Sequence, residues 1–123
     1  MGDSSGSDPV LHDPVLQALS QGLHDALVEN FEVPKTDRFQ VIHQHEVGEL
    51  IFDPHYLGGP RSHDFVLIAI TAGRARSVTT KQQFYRDLVE KLGRAPGLNA
   101  EDVMVVITTT AGDEWSFGGG RGN

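Results

Sequence analysis

Apolar residues recur at helical spacing in two stretches of the chain. Leu16, Leu19, Leu23, Leu27 and Phe31 follow one another every third or fourth position, with Val15 and Ala26 beside them. Such spacing lays one apolar stripe along an α-helix. Asp13-Pro14 supplies a capping side chain and then a proline suited to the first helical position. Val33-Pro34 ends the stretch, because the residue before a proline avoids helical backbone. The pattern predicts a helix over residues 14–31. Phe84, Leu88 and Leu92 repeat the spacing, with Tyr85 and Val89 alongside, behind the cap-rich Ser77-Val78-Thr79-Thr80. They predict a second helix that ends at Gly93.

Two other stretches are apolar without helical period. Asp64-Phe65-Val66-Leu67-Ile68-Ala69-Ile70-Thr71 and Val103-Met104-Val105-Val106-Ile107-Thr108 read as strands buried in the middle of a sheet. Asp37 to His45 alternates instead: Phe39, Val41 and His43 share one face, and Gln40, Ile42 and Gln44 the other, which predicts a strand. Glu49-Leu50-Ile51-Phe52 is a shorter strand candidate after Gly48. Pro54, Gly58, Gly59 and Pro60 make residues 53–63 a loop. Pro96-Gly97-Leu98 is a turn, and Asn99 can cap one helical turn over Ala100-Glu101-Asp102.

The two halves repeat. Leu27-Val28-Glu29 leads to Asp37 and a strand; Leu88-Val89-Glu90 leads to Asp102 and a strand. Both halves are therefore β-α-β-like units. The opening strand of the first is missing from the pattern, because Met1 to Asp8 is almost wholly Gly, Ser and Asp. We expect residues 1–12 to be a flexible segment and residues 13–123 to be a single domain.

Charge narrows the function classes. The net charge of −7 over 123 residues argues against a nucleic-acid partner, which asks for a basic face. No apolar run approaches the roughly 18 residues of a membrane span, and no basic-then-apolar leader is visible. A cytoplasmic protein is expected. Without cysteine, thiolate chemistry and disulfides drop out.

Against that acidic background, Arg74-Ala75-Arg76 stands between a strand end and a helix start, where open α/β layers tend to bind ligands. If the chain bends there, the two guanidinium groups can converge on one carboxylate. The spacing fits two solvated turn charges equally well. His43 and His45 share a strand face ahead of Glu49, similar to the His-x-His-then-acid pattern of cupins. Two convincing helices speak against an all-β barrel, and no further ligand is evident, so neither a metal nor any other cofactor is expected. His24, beside the first helix's stripe, reads as a partly buried packing residue. Asp37 alone reads as a turn residue before a strand. Trp115 and Phe117 are two large rings that a pocket or partner must cover. Gly118-Gly119-Gly120 lacks the strand and helix of a phosphate loop.

Five pieces, taken in order, carry a family resemblance: Val33-Pro34-Lys35-Thr36-Asp37-Arg38-Phe39-Gln40, Phe65-Val66-Leu67-Ile68, Gly73-Arg74-Ala75-Arg76-Ser77 with Lys81, Glu101-Asp102-Val103, and Trp115-Ser116-Phe117-Gly118. Together they resemble the tautomerase superfamily, and within it the malonate semialdehyde decarboxylase group. The resemblance implies an α+β fold of tandem β-α-β repeats. Its four-stranded sheet would carry two helices on one face, and its N-terminal strand would here be degenerate. It also implies a homotrimer and a small carboxylate or oxo acid as ligand. By the same resemblance Asp37 is the acid that orients or activates water, Arg74 and Arg76 hold the substrate carboxylate, and Trp115 and Phe117 wall the pocket. The family's N-terminal proline has no counterpart: residue 2 is Gly and the first proline is Pro9. The expected chemistry, of tautomerase, hydratase or decarboxylase type, is therefore weak or altered. The alternative is a non-catalytic carboxylate-binding or trimeric interaction protein.

Overall fold

A computed structural model describes residues 14–36, 39–44, 51, 53–62 and 64–122. Asp13, the segment 1–12, Asp37 and most of the candidate strand at residues 49–52 lie outside them. The first helix, α1, runs Pro14–Phe31 as the apolar stripe predicts, and buries His24, Ala26 and Phe31. Beyond it Glu32 takes a left-handed backbone, φ 58°. The N–H of Val33 then turns back to the carbonyl of Leu27 at 3.5 Å, a common way to end a helix.

Strand β1 (Val66–Ala72) leads to helix α2 (Val78–Arg94), and a short 3₁₀ turn at Ala100–Asp102 opens strand β2 (Val103–Thr109). The two strands are parallel, in register from Val66 opposite Val103 to Ala72 opposite Thr109. Parallel neighbours need a long connection, and α2 provides it. Ser77 caps α2 by accepting from the Thr80 N–H at 3.1 Å. Asn99 caps the 3₁₀ turn through the Glu101 N–H at 3.0 Å, as the sequence suggests.

Both helices lie on one face of this sheet. Phe31, Phe84, Leu88 and Leu92 form the core with Ile68, and Ile70, Val103, Val105 and Ile107 pack against it. The Phe31 and Phe84 rings meet at 4.7 Å. Gly22 lets α1 come close to α2: a Cβ there would lie 2.9 Å from Leu92 Cδ2. At the edge of the helix pair, Lys91 Nζ reaches Glu29 and Asp87, each at 3.1 Å. Burial by itself would push this ammonium down, but the hydrogen bonds to Asp87 and Glu29 outweigh it and hold Lys91 above the usual lysine value. Asn30 adds a bond from Nδ2 to Asp87 at 2.8 Å.

The structure bears on two expectations about the strands. First, among the described residues β1 and β2 are covered on one face only. Leu67 and Val106, on the other face, are 51% and 48% exposed. A continuous apolar run shows that both faces suit burial, but it does not supply the second cover. Secondly, residues 39–44 join no ladder among the described residues. Their alternation does exist in space, since Phe39 and Val41 are both exposed while Ile42 is half-buried. Alternation sets which residues share a face; it does not supply a pairing partner. Of the four expected strands, two are present among the described residues.

Asp102 is the second repeat's counterpart of Asp37. It is 4% exposed and accepts from the backbone N–H and the hydroxyl of Ser62, at 2.6 and 2.7 Å. This acid is taken up in docking the loop before β1.

Candidate functional site

The connection from β1 to α2 carries Arg74 and Arg76 at the C-terminal end of the sheet. The two side chains do not form a symmetrical fork. Arg76 folds back: Nη1 donates to the carbonyl of Arg74 at 2.8 Å, and Nη2 to that of Phe31 at 3.0 Å. Its guanidinium carbon lies 4.8 Å from the Phe31 ring centroid, a cation–π contact that also fixes the plane of the group. Nε is buried and has no hydrogen-bond partner among the described residues. Arg74 is more exposed and lies 4.0 Å from Glu32.

Electrostatics follow from this packing. Burial, and next the neighbouring charge of Arg74, push the Arg76 guanidinium below its ordinary value, while Glu32 opposes them. Two like charges are held together, and among the described residues Glu32 is the exposed carboxylate beside them. An added anion would relieve that repulsion. A guanidinium has five N–H donors, and Arg76 spends two of them on backbone carbonyls. Those two bonds orient the group; one hydrogen on each Nη remains for a ligand.

The aromatic wall is tied to the same strand end. Thr110 donates from its N–H to the Ala72 carbonyl at 2.9 Å. The Trp115 indole N–H in turn donates to Thr110 Oγ1 at 2.6 Å. A 3₁₀ turn at Gly112–Glu114 carries the chain round, and Phe117 stacks on Trp115 with centroids 5.1 Å apart and planes 7° from parallel. Arg76, Trp115 and Phe117 line one open cleft that continues along α1 and β1 past His24, Thr36 and Gln40.

The cleft therefore gathers three of the five expected site residues, Arg76, Trp115 and Phe117. Arg74 stands beside it, and Asp37 lies outside the described residues. Phe31 was legible only as core, yet its carbonyl and ring both position Arg76. Glu32 and Thr110 gave no periodic signal at all. His24 is more buried than a half-covered packing residue, at 6% exposure, and its Nε2 lies 2.9 Å from the Lys35 carbonyl. Among the described residues no three His, Cys, Asp or Glu side chains are placed to hold a metal; His43 is exposed, and His45 and Glu49 lie outside them. No described helix is long and apolar enough to cross a membrane.

Residues 37–118 match the model of the family Tautomerase_2, described as tautomerase enzyme. The probable tautomerase YusQ of Bacillus subtilis is 35% identical over 106 residues, covering 86% of this chain and 84% of its own length. A crystal structure of malonate semialdehyde decarboxylase, reported with decarboxylase and hydratase activities, superimposes with a TM-score of 0.78 at 35% identity. It covers 94% of this chain and 84% of that one. A fused 4-OT symmetric trimer shares the fold, with a TM-score of 0.69 at 17% identity, covering 89% of this chain and 85% of that one. The chain belongs to the Tautomerase_2 family and has the tautomerase fold.

Proposed function

We propose that this protein acts on a small oxo acid, by chemistry of the tautomerase, hydratase or decarboxylase type. Arg76, with Arg74 beside it, holds the substrate carboxylate. Trp115 and Phe117 keep water from the reacting end. Asp37 handles the proton or orients the attacking water. The observation that carries this reading is the state of Arg76: pinned by two carbonyls, partly desolvated, and facing a like charge in an aromatic-walled cleft. Such a group binds an anion without first having to be ordered.

The division of labour follows from chemistry. Two positive charges beside a carboxylate favour the enolate-like charge that develops when a 2-oxo acid loses an α-proton. The reading gives the proton to Asp37. A carboxylate of reference pKa about 3.9 is a poor base near neutrality unless it is desolvated. Turnover should accordingly be modest, well under the roughly 10 per second typical of enzymes. The test is a panel of 2-oxo and 3-oxo acids followed by NMR, with Asp37→Asn alongside. Slow turnover that Asp37→Asn abolishes supports the reading. Carboxylate binding with no turnover on any acid would instead assign a non-catalytic carboxylate-binding protein.

The assembly is part of the proposal. The open sheet face carries Leu67 and Val106, and Phe39 and Ile51 are also exposed in the single protomer. A homotrimer would cover such a face. Sedimentation at micromolar concentration should show a trimer, and a stable monomer there would count against it.

A further inference from the structure

The short chain that leads from β2 to Trp115 closes on itself. The Glu114 N–H donates to the Ala111 carbonyl at 3.1 Å, and the Trp115 N–H to that of Gly112 at 3.3 Å. The Glu114 carboxylate accepts from the Ala111 N–H in return. With the backbone of residues 111–115 held in this way, two side-chain torsions remain to place the indole. One bond on the ring itself fixes them: Nε1 donates to Thr110 Oγ1 at 2.6 Å. Thr110 is anchored in its turn. Its N–H donates to the Ala72 carbonyl at 2.9 Å, and its hydroxyl donates to the same oxygen at 3.3 Å. A hydroxyl has one proton to give and two lone pairs to offer. Here the proton goes to Ala72 and a lone pair goes to Trp115, so the chain of bonds runs one way, from indole through hydroxyl to carbonyl.

The parallel sheet makes this meeting possible. Ala72 lies opposite Thr109, so both strands end at the same edge. Ala72 is buried, at 7% exposure, and stands two residues before Arg74. Phe117 is 76% exposed and stacks on Trp115, so the second ring takes its place from the first.

We infer that Thr110 is a positioning residue: its hydroxyl sets the aromatic wall against the strand end from which the arginines rise. The inference rests on the role given to Trp115 above. Thr110 does not itself line the cleft; it acts through the indole. A valine would match its shape, but a methyl group accepts nothing from the indole N–H. A serine would keep the hydroxyl.

The test uses the full chain with Thr110→Val, Thr110→Ser, and Trp115→Phe with and without Thr110→Val. Trp115 is the sole tryptophan, so the indole N–H gives one NMR signal. Its exchange with water should quicken about three- to tenfold in Thr110→Val, the worth of one hydrogen bond. Thr110→Ser should stay within about twofold of the parent. On an oxo acid that the parent turns over, kcat of Thr110→Val should fall about tenfold, as water reaches the reacting end. KM should stay within about twofold, because Arg76 keeps its own bonds. Adding Thr110→Val to Trp115→Phe should cost no further kcat, since a phenyl ring has no proton for the hydroxyl. Unchanged indole exchange in Thr110→Val would overturn the inference, as would an equal loss of kcat in the Trp115→Phe background. A rise in KM as large as the fall in kcat would also overturn it, by showing that the strand end itself had moved. Should no oxo acid be turned over, the functional reading fails, and the indole exchange still decides whether Thr110 fixes the ring.

Discussion

The Arg74→Ala/Arg76→Ala variant should lose binding of a small 2-oxo acid by a factor of about 10–10³ in titration calorimetry. The range follows from what each arginine can give. A hydrogen bond to a charged partner contributes about 1.5–3 kcal/mol, and a factor of ten is about 1.4 kcal/mol. The two contributions should be unequal. Arg74 is well exposed, so its share is screened to about 0–1 kcal/mol. Arg76 is half-buried and already oriented, and it should supply most of the loss. Arg76→Lys separates charge from geometry, because an ammonium keeps the charge but not the planar fork held by the Phe31 and Arg74 carbonyls. It should recover only a small part of the affinity. Arg94→Ala is the control: that arginine pairs with Glu90 at 3.4 Å at the far end of α2. Equal affinity in the double variant and in Arg94→Ala would remove the carboxylate site from this corner of the molecule.

Phe84→Ala should lower the unfolding free energy by about 3–5 kcal/mol, read from urea titration. Phe84 has no exposed surface and meets both the Phe31 ring, at 4.7 Å, and the Tyr85 ring, at 5.9 Å. Truncation removes the transfer energy of the ring and leaves a void between the helices. Such a void is hard to close here, because Gly22 already brings α1 close to Leu92. The effect should also reach the site. Phe31 loses its partner, and Phe31 is the residue whose carbonyl and ring hold Arg76. Carboxylate affinity in Phe84→Ala should therefore weaken at concentrations of urea that leave the parent's binding intact. A loss under 1 kcal/mol would mean that the core can repack around alanine.

How far the sequence carried this picture depends on whether each feature has a period. The stripe from Leu16 to Phe31 fixes α1 to the residue, because proline at each end agrees with the apolar spacing. The runs before Arg74 and after Asp102 give β1 and β2 for the same reason: hydrophobicity, length and flanking breakers all agree. Phe39 shows where such reasoning stops. It sits in a faultless alternation and is 92% exposed, since alternation depends on neighbours that the segment itself does not name. The site was legible as residue types at a strand end. Its geometry was not. No spacing rule says that Arg76 will turn back onto the carbonyls of Phe31 and Arg74. Bonds such as Ser20 to Gln40 or Trp115 to Thr110 join positions of no common period. They depend on helix and loop being placed first.

Trp115 is the only tryptophan in the chain, which turns its hydrogen bond to Thr110 and its stacking on Phe117 into an optical matter. All indole emission comes from this one ring, at one corner of the cleft that Arg76 also lines. An acid entering there changes the field and the wetting around an excited state whose colour is sensitive to both. Indole emission is thus an unlabelled test of whether an acid binds at the strand end where the arginines stand.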